Sequence, residues 1–254
     1  EHRPHHRRLQ RPGPGVRLPA QPRSPGPGDL GHRPAGRPPG RPPGRRRLPR
    51  PPHPLDLTKE DALYRLRSLL AREKPVITRL VCAAGFGKLG HIAAIDLVDT
   101  MDMIDLNCRA AVAVTNLCLP YLTRGSRVLE ICSTAAFQPM PGLGVYAATK
   151  AFLHSYAKTL HYELLPRGIH VTAVCPLLGE GHRVHPHRPG GQARPVPPLP
   201  LASRTRSVVK LSLAASAWNL WVATPGIVCT LHRVGAKFIP HFLMVPLMGL
   251  LRRV

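Results

Sequence analysis

The chain has 254 residues, 31 of them proline, and a formal net charge of +23 from 36 Lys and Arg against 13 Asp and Glu; this length suits one α/β domain with a sizeable core. Its six cysteines (82, 108, 118, 132, 175 and 229) sit in apolar patterns without C-x-x-C spacing, which argues against a disulfide scaffold or a zinc cluster and for free thiols in a reducing, cytoplasmic setting. No apolar run reaches the 18 residues that a spanning helix needs, and no signal-peptide pattern is expected.

The charge is unevenly spread. Residues 1–54 hold 13 Arg, 16 Pro and only 2 acids, residues 178–206 hold 5 Arg and 1 acid, and residues 207–254 hold 5 bases and no acid. Residues 55–177 are nearly balanced, with 13 bases and 10 acids. Segment 1–54 shows no periodicity and has too few aliphatic residues to offset its ordering entropy, so a disordered Arg/Pro/Gly-rich segment is expected there. Such an arm binds polyanions non-specifically. A non-catalytic polybasic protein, binding nucleic acid or anionic surfaces through residues 1–54, is therefore the alternative to any enzymatic reading.

Regular patterning begins at Leu55. The stretch Leu55-Asp56-Leu57-Thr58 reads either as the end of a strand or as a helix N-cap leading into a helix from Lys59 to Arg72, whose Leu63, Leu66, Leu69 and Leu70 recur at helical spacing. Val76 to Cys82 reads as a central strand leading to Cys82-Ala83-Ala84-Gly85. A long helix over residues 95–122 carries Asn107, a residue type that in mid-helix usually faces solvent. Val128 to Cys132 is an apolar run of strand type closed by Ser133; Pro139, Pro141, Gly142 and Gly144 mark a loop; Tyr146 opens a helix to about Leu165. A strand over Ile169 to Cys175 precedes Pro176, and residues 178–206 are irregular. His182, His185 and His187 lie there without enough carboxylate or thiol company to suggest a metal site. Helical text resumes at Val208 to Val222. The apolar segment 238–253, broken by Pro240 and Pro246 and flanked by bases, reads as a peripheral membrane contact, a pocket lid or an oligomer contact.

The chemistry lies between Ser133 and Lys150. Positions i and i+4 share a helix face, so the Lys150 ammonium is expected beside the Tyr146 phenol, lowering a pKa of about 10. Tyr146 would exchange a proton with a substrate oxygen that Ser133 holds by a hydrogen bond.

A serine at a strand end, thirteen residues before Tyr-Ala-Ala-Thr-Lys and followed by a strand ending in Cys175-Pro176, resembles the short-chain dehydrogenase/reductase family over about residues 55–176, more weakly beyond. The resemblance implies a doubly wound parallel sheet of Rossmann type, with Ser133, Tyr146, Lys150 and Asn107 as catalytic residues, Asn107 holding a proton-relay water. It implies cofactor contacts from Asp56 at the end of a third strand, Ala83, Gly85, Tyr146, Lys150 and Pro176. It also implies hydride transfer between a nicotinamide cofactor and an alcohol or carbonyl, and a homo-oligomer through helices 95–122 and 146–165. The sequence departs from the family's pattern at Cys82-Ala83, where two asparagines are usual, and at Leu177, where glycine is usual.

In the family's place for its first two strands and glycine-rich loop stands the arginine-proline text of residues 1–54. Back-translated and slid by one base, residues 1–17 permit S-T-V-L-I-T-G-A-S-S-G-L-G-R-E-F-A, a strand followed by G-x-x-x-G-x-G. The same slide over residues 29–35 permits T-W-A-I-A-R-R, and over residues 177–186 it permits Y-W-V-R-G-T-E-F-I-P. A shifted reading frame is thus favoured over a natural arginine-proline tail. Arginines ending the second strand imply NADP over NAD.

Overall fold

The computed structural model describes residues 53–177, 184–186 and 205–252. Expectations placed on residues 1–52, and on most of 178–206, including His182 and His187, lie outside the described residues.

Helix α1 (Glu60–Glu73) starts with two acids in its first turn, where the helix dipole favours them, and stops at Lys74, whose left-handed backbone (φ 40°) returns its N–H to the Leu70 carbonyl. The stretch before it is a turn and not the end of a strand. The Asp56 carboxylate accepts hydrogen bonds from the Thr58 N–H (3.0 Å) and hydroxyl (2.7 Å), which satisfies the segment locally.

Strand β1 (Ile77–Cys82) follows Pro75, and a three-residue strand β2 (Gly87–Leu89) follows Gly85. The expected long helix is present in pieces: α2 (Leu97–Ile104), a wide π-type turn over Asp105–Ala110, and α3 (Ala111–Cys118). Strand β3 (Leu122–Ile131) leads to the loop before α4 (Gly144–Leu164); then come β4 (His170–Val174), β5 (Val184–Pro186), α5 (Thr205–Ala217), β6 (Val222–Ala223), α6 (Ile227–Phe238) and α7 (His241–Arg252).

The main sheet has order β1-β3-β4-β6 and is wholly parallel, with Leu80 opposite Val128, Leu129 opposite Thr172 and Val174 opposite Ala223. Alternation along β3 sends Val128 and Cys132 to one face, against Leu153, Ala157, Leu160 and Leu164 of α4 and Ala111 of α3. Leu129 and Ile131 go to the other face, against Val208 and Ala215 of α5. Helices thus cover both faces, the doubly wound arrangement, and the strands' carboxyl ends point to one side. Among the described residues, β1 has no strand on its outer edge. Within the stretch expected to be irregular, β5 pairs in parallel with β2, Lys88 opposite His185.

Candidate active site

Ser133, Tyr146 and Lys150 meet where β3 ends and α4 begins. The β3 backbone runs straight into Ser133, which is extended (φ −164°) and 1% exposed, its hydroxyl accepting the Ala135 N–H at 3.2 Å. The connecting loop is fixed from below because Met140 and Leu143 are buried with Ala135, Ala147 and Met103. Gly144 then starts α4 against Ile92, so tightly that an added Cβ would lie 2.9 Å from the Ile92 Cδ1.

Tyr146 is 3% exposed. Burial pushes its pKa up to about 12, and the neighbouring Ser133 side chain pulls against that rise. The direction is opposite to the expected lowering by Lys150, for a reason that the geometry supplies. The Lys150 ammonium lies 5.8 Å from the Tyr146 ring centroid and donates to the Ile131 carbonyl at 2.8 Å, so it is anchored on the strand end behind the phenol. Burial lowers the pKa of Lys150, with the nearby Cys132 and Cys108 thiols pulling the other way.

Asn107 is fully buried in the π-type turn. Its Oδ1 accepts the Phe86 N–H at 3.0 Å, and its Nδ2 donates to the Phe86 carbonyl at 2.9 Å and to the Thr149 hydroxyl at 3.0 Å. Thr149 in turn donates to the Tyr146 carbonyl at 2.8 Å. Asn107 therefore ties the segment after β1 to the helix that carries Tyr146. Gly85 lies at this junction: a Cβ there would sit 2.7 Å from Asn107 Oδ1 and 3.3 Å from Lys150 Nζ. Gly87 faces the Tyr146 ring, with a Cβ 2.7 Å from Cδ2. The sequence reading missed Gly87 and Thr149, whose only signals were the second glycine of Gly-Phe-Gly and the threonine inside Tyr-Ala-Ala-Thr-Lys.

Of the other expected residues, Ala83 is exposed just past β1, and Pro176 is buried after β4 with its carbonyl accepting the Thr134 N–H at 3.0 Å. Asp56 stays in the turn before α1, its carboxylate on Thr58. Along the Ala147, Ala148 and Ala151 face of α4 opens a cavity of about 770 Å³, lined largely by apolar side chains that include Ile92, Phe137, Met140 and Val245, with His91 and His241 at its wall; Ser133, Tyr146 and Lys150 do not line it.

Two halves of a dinucleotide meet different reception. On the nicotinamide side, Gly85 lies against Asn107 Oδ1 and Lys150 Nζ, and Lys150 lies 5.8 Å from the Tyr146 ring centroid, so the residues that would meet a ribose are gathered at one place. For a pyrophosphate, no tight glycine turn leading into a helix exists among the described residues.

A family profile described as short chain dehydrogenase matches residues 52–183. Sulfoacetaldehyde reductase 2 of Chromohalobacter salexigens is 33% identical over 130 residues, 50% of this chain and 52% of that protein. The very-long-chain 3-oxoacyl-CoA reductase of Mus musculus is 37% identical over 86 residues, 33% of this chain and 28% of that one. The chain spans about half the length of the first of these relatives. Among solved structures, the bulky-bulky ketone specific alcohol dehydrogenase from Comamonas testosteroni superposes with a TM-score of 0.57 at 24% identity, over 75% of this chain and 71% of that one, which shows a shared fold. With its parallel doubly wound sheet and a family match over residues 52–183, this chain belongs to the short-chain dehydrogenase family.

Proposed function

We propose that the protein derives from an oxidoreductase that transfers hydride reversibly between NADP(H) and an alcohol or carbonyl, with the machinery at Ser133, Tyr146, Lys150 and Asn107. The observation that carries this reading is the meeting of the buried Ser133, Tyr146 and Lys150 side chains at the end of β3, with the Lys150 ammonium on the Ile131 carbonyl and 5.8 Å from the Tyr146 ring centroid. The nicotinamide, when bound, supplies the hydride. The chain's own residues handle the oxygen: Ser133 holds a substrate carbonyl oxygen, and the Tyr146 phenol donates its proton as charge develops there. Burial favours the protonated phenol, the form that donates when a carbonyl is reduced. Lys150, anchored on Ile131, fixes the Tyr146 side of the site and would hold the ribose of a bound cofactor, and Asn107 holds the Phe86 segment in register with α4.

The apolar wall suits a bulky or lipophilic carbonyl. NADP preference rests on the arginines of the slid-frame reading of residues 29–35, outside the described residues. A homo-oligomer through α2 and α4 is supported by exposed Leu97, Val98 and Met101 on the first helix and Phe152 and Tyr162 on the second. Six free cysteines favour a reducing, cytoplasmic setting, and among the described residues no helix is long and apolar enough to cross a membrane. The non-catalytic polybasic alternative rests wholly on residues 1–54, which are almost entirely outside the described residues.

The test has two steps. The coding DNA over residues 1–54 and 178–206 is read in all three frames, and the frame-corrected protein is assayed for NADPH-dependent reduction of lipophilic ketones. Tyr146→Phe is expected to lower kcat by roughly 10²–10⁴-fold with the fold intact. Retention of most activity in that variant would sink the assignment.

A further inference from the structure

We propose that α6, together with the Trp218 end of α5 and the start of α7, forms a docking surface for an anionic lipid bilayer. Along α6, Ile227, Leu231, Val234 and Phe238 fall at steps of four, three and four residues and so share one face. That face is turned outward: Ile227 is 80% exposed, Leu231 65% and Phe238 75%. The opposite side is anchored by Cys229, 1% exposed. Trp218, 81% exposed, lines with Ile227 and Leu231 a groove of about 720 Å³, and the first turn of α7, three residues past Phe238, exposes Phe242 and Leu243 as well. A soluble face would carry its polar residues here, but this one carries its apolar ones.

The charges choose the occupant. Residues 207–254 contain 5 bases and no acid. Lys237 lies 5.8 Å from the Phe238 ring centroid, so a cation flanks an aromatic ring at the edge of the apolar face, and Arg233, over the core-packed Trp221 ring at 5.0 Å, adds charge on the same helix. A second copy docking by two-fold symmetry would set Arg233 and Lys237 against their own equivalents with no carboxylate from this region to pair them. An anionic bilayer meets both halves of the pattern, since apolar side chains enter the acyl boundary and the cations remain among phosphate headgroups. This inference does not depend on the redox reading.

Of the two tryptophans of the chain, Trp218 lies at this surface while Trp221 packs against the core, so quenching of the Trp218 part of the intrinsic fluorescence reports it. The full chain is mixed with vesicles of phosphatidylcholine containing about 30% phosphatidylglycerol and acyl-brominated lipid, at low salt and at about 0.5 M NaCl, where exposed charges are screened within a few ångströms. Roughly twofold quenching that persists at high salt is expected. The double variant Leu231→Asp, Phe238→Asp, which changes only exposed side chains, should lose the quenching yet still sediment with the vesicles at low salt through its arginine-rich segment. Vesicle binding without quenching, abolished by salt, would overturn the proposal in favour of the arginines alone. So would sedimentation equilibrium showing an oligomer that the double variant dissolves, with no quenching in the parent, because the occupant is then a second copy.

Discussion

Thr115 donates a 2.8 Å hydrogen bond to Glu130 Oε1 between α3 and β3, while Glu130 Oε2, equally buried, has no hydrogen-bond partner. The Cys82 thiol lies 3.4 Å from the same Thr115 hydroxyl, and Cys82 is the partner of Glu130 across the β1–β3 ladder. Burial raises the Glu130 carboxyl from 4.5 to about 7, against the pull of these hydrogen bonds.

That shift gives a pH dependence with a definite sign. Between about pH 4.5 and 7 the folded chain holds a proton at Glu130 that the unfolded chain has released, so the contribution of this group to stability falls as pH rises through the window. Glu130→Gln keeps an acceptor for Thr115 and removes the charge. The variant should gain up to about 3 kcal/mol relative to the parent at pH 8 and little at pH 4.5. Urea melts at the two pH values measure it, and an equal effect at both would count against the assignment.

His154 acts with the opposite sign. It packs edge-on against Phe137 at 5.5 Å, and burial, followed by the charges of Lys158 and Arg233, lowers its pKa from 6.5 to about 4. The unfolded chain therefore takes up a proton first as pH falls below about 6.5, and stability declines toward pH 4. His154→Asn should flatten this acid limb of a Tm-against-pH curve. An unchanged slope would place the loss elsewhere.

Gly85→Ala sets a methyl 2.7 Å from Asn107 Oδ1, and Asn107 has no room to give because its amide already bonds Phe86 twice and Thr149 once. The expected cost is about 1–3 kcal/mol, read as a lower denaturant midpoint with unchanged m. Tolerance without loss would show that the Asn107 clasp is looser than its hydrogen bonds imply.

The chain as printed is expected to bind no dinucleotide in the micromolar range. A pyrophosphate needs N–H groups from a tight glycine turn at a helix N-terminus, and the prolines of residues 1–54 remove donors and oppose helix formation. Calorimetric titration with NADPH at physiological salt decides this; saturable one-to-one binding would refute it. The frame-corrected protein should bind NADPH more tightly than NADH, and the reverse order would remove the case drawn from its arginines.

Much of the fold was legible because the decisive signals are local. The four-residue stripe of Leu160 and Leu164, the alternation around Val128 and the proline-glycine loop before Tyr146 each specify an element without knowledge of its neighbours. What failed was relational. Spacing shows that Lys150 shares a helix face with Tyr146, but not that the Ile131 carbonyl, nineteen residues earlier, captures the ammonium first. Leu55-Asp56-Leu57-Thr58 reads as a strand end only through the family resemblance, with a helix N-cap open beside it; a carboxylate with Thr58 as a ready partner closes a turn before α1 instead. The three-residue β5 is too short to carry any period, and it exists through its pairing with β2.

The bare outer edge of β1 turns the described part of this protein into one half of a complementation pair. Val76 and Val81 are exposed there, and the N–H and carbonyl groups on that side of the strand face no other strand among the described residues. An edge of this kind accepts a parallel strand from any chain that offers one. A synthetic peptide reading S-T-V-L-I-T-G-A-S-S-G-L-G-R-E-F-A, the slid-frame text of residues 1–17, brings an apolar strand and the glycine turn that follows it. Added in trans, it should protect β1 amides from hydrogen exchange, whereas a scrambled peptide of equal composition leaves them open.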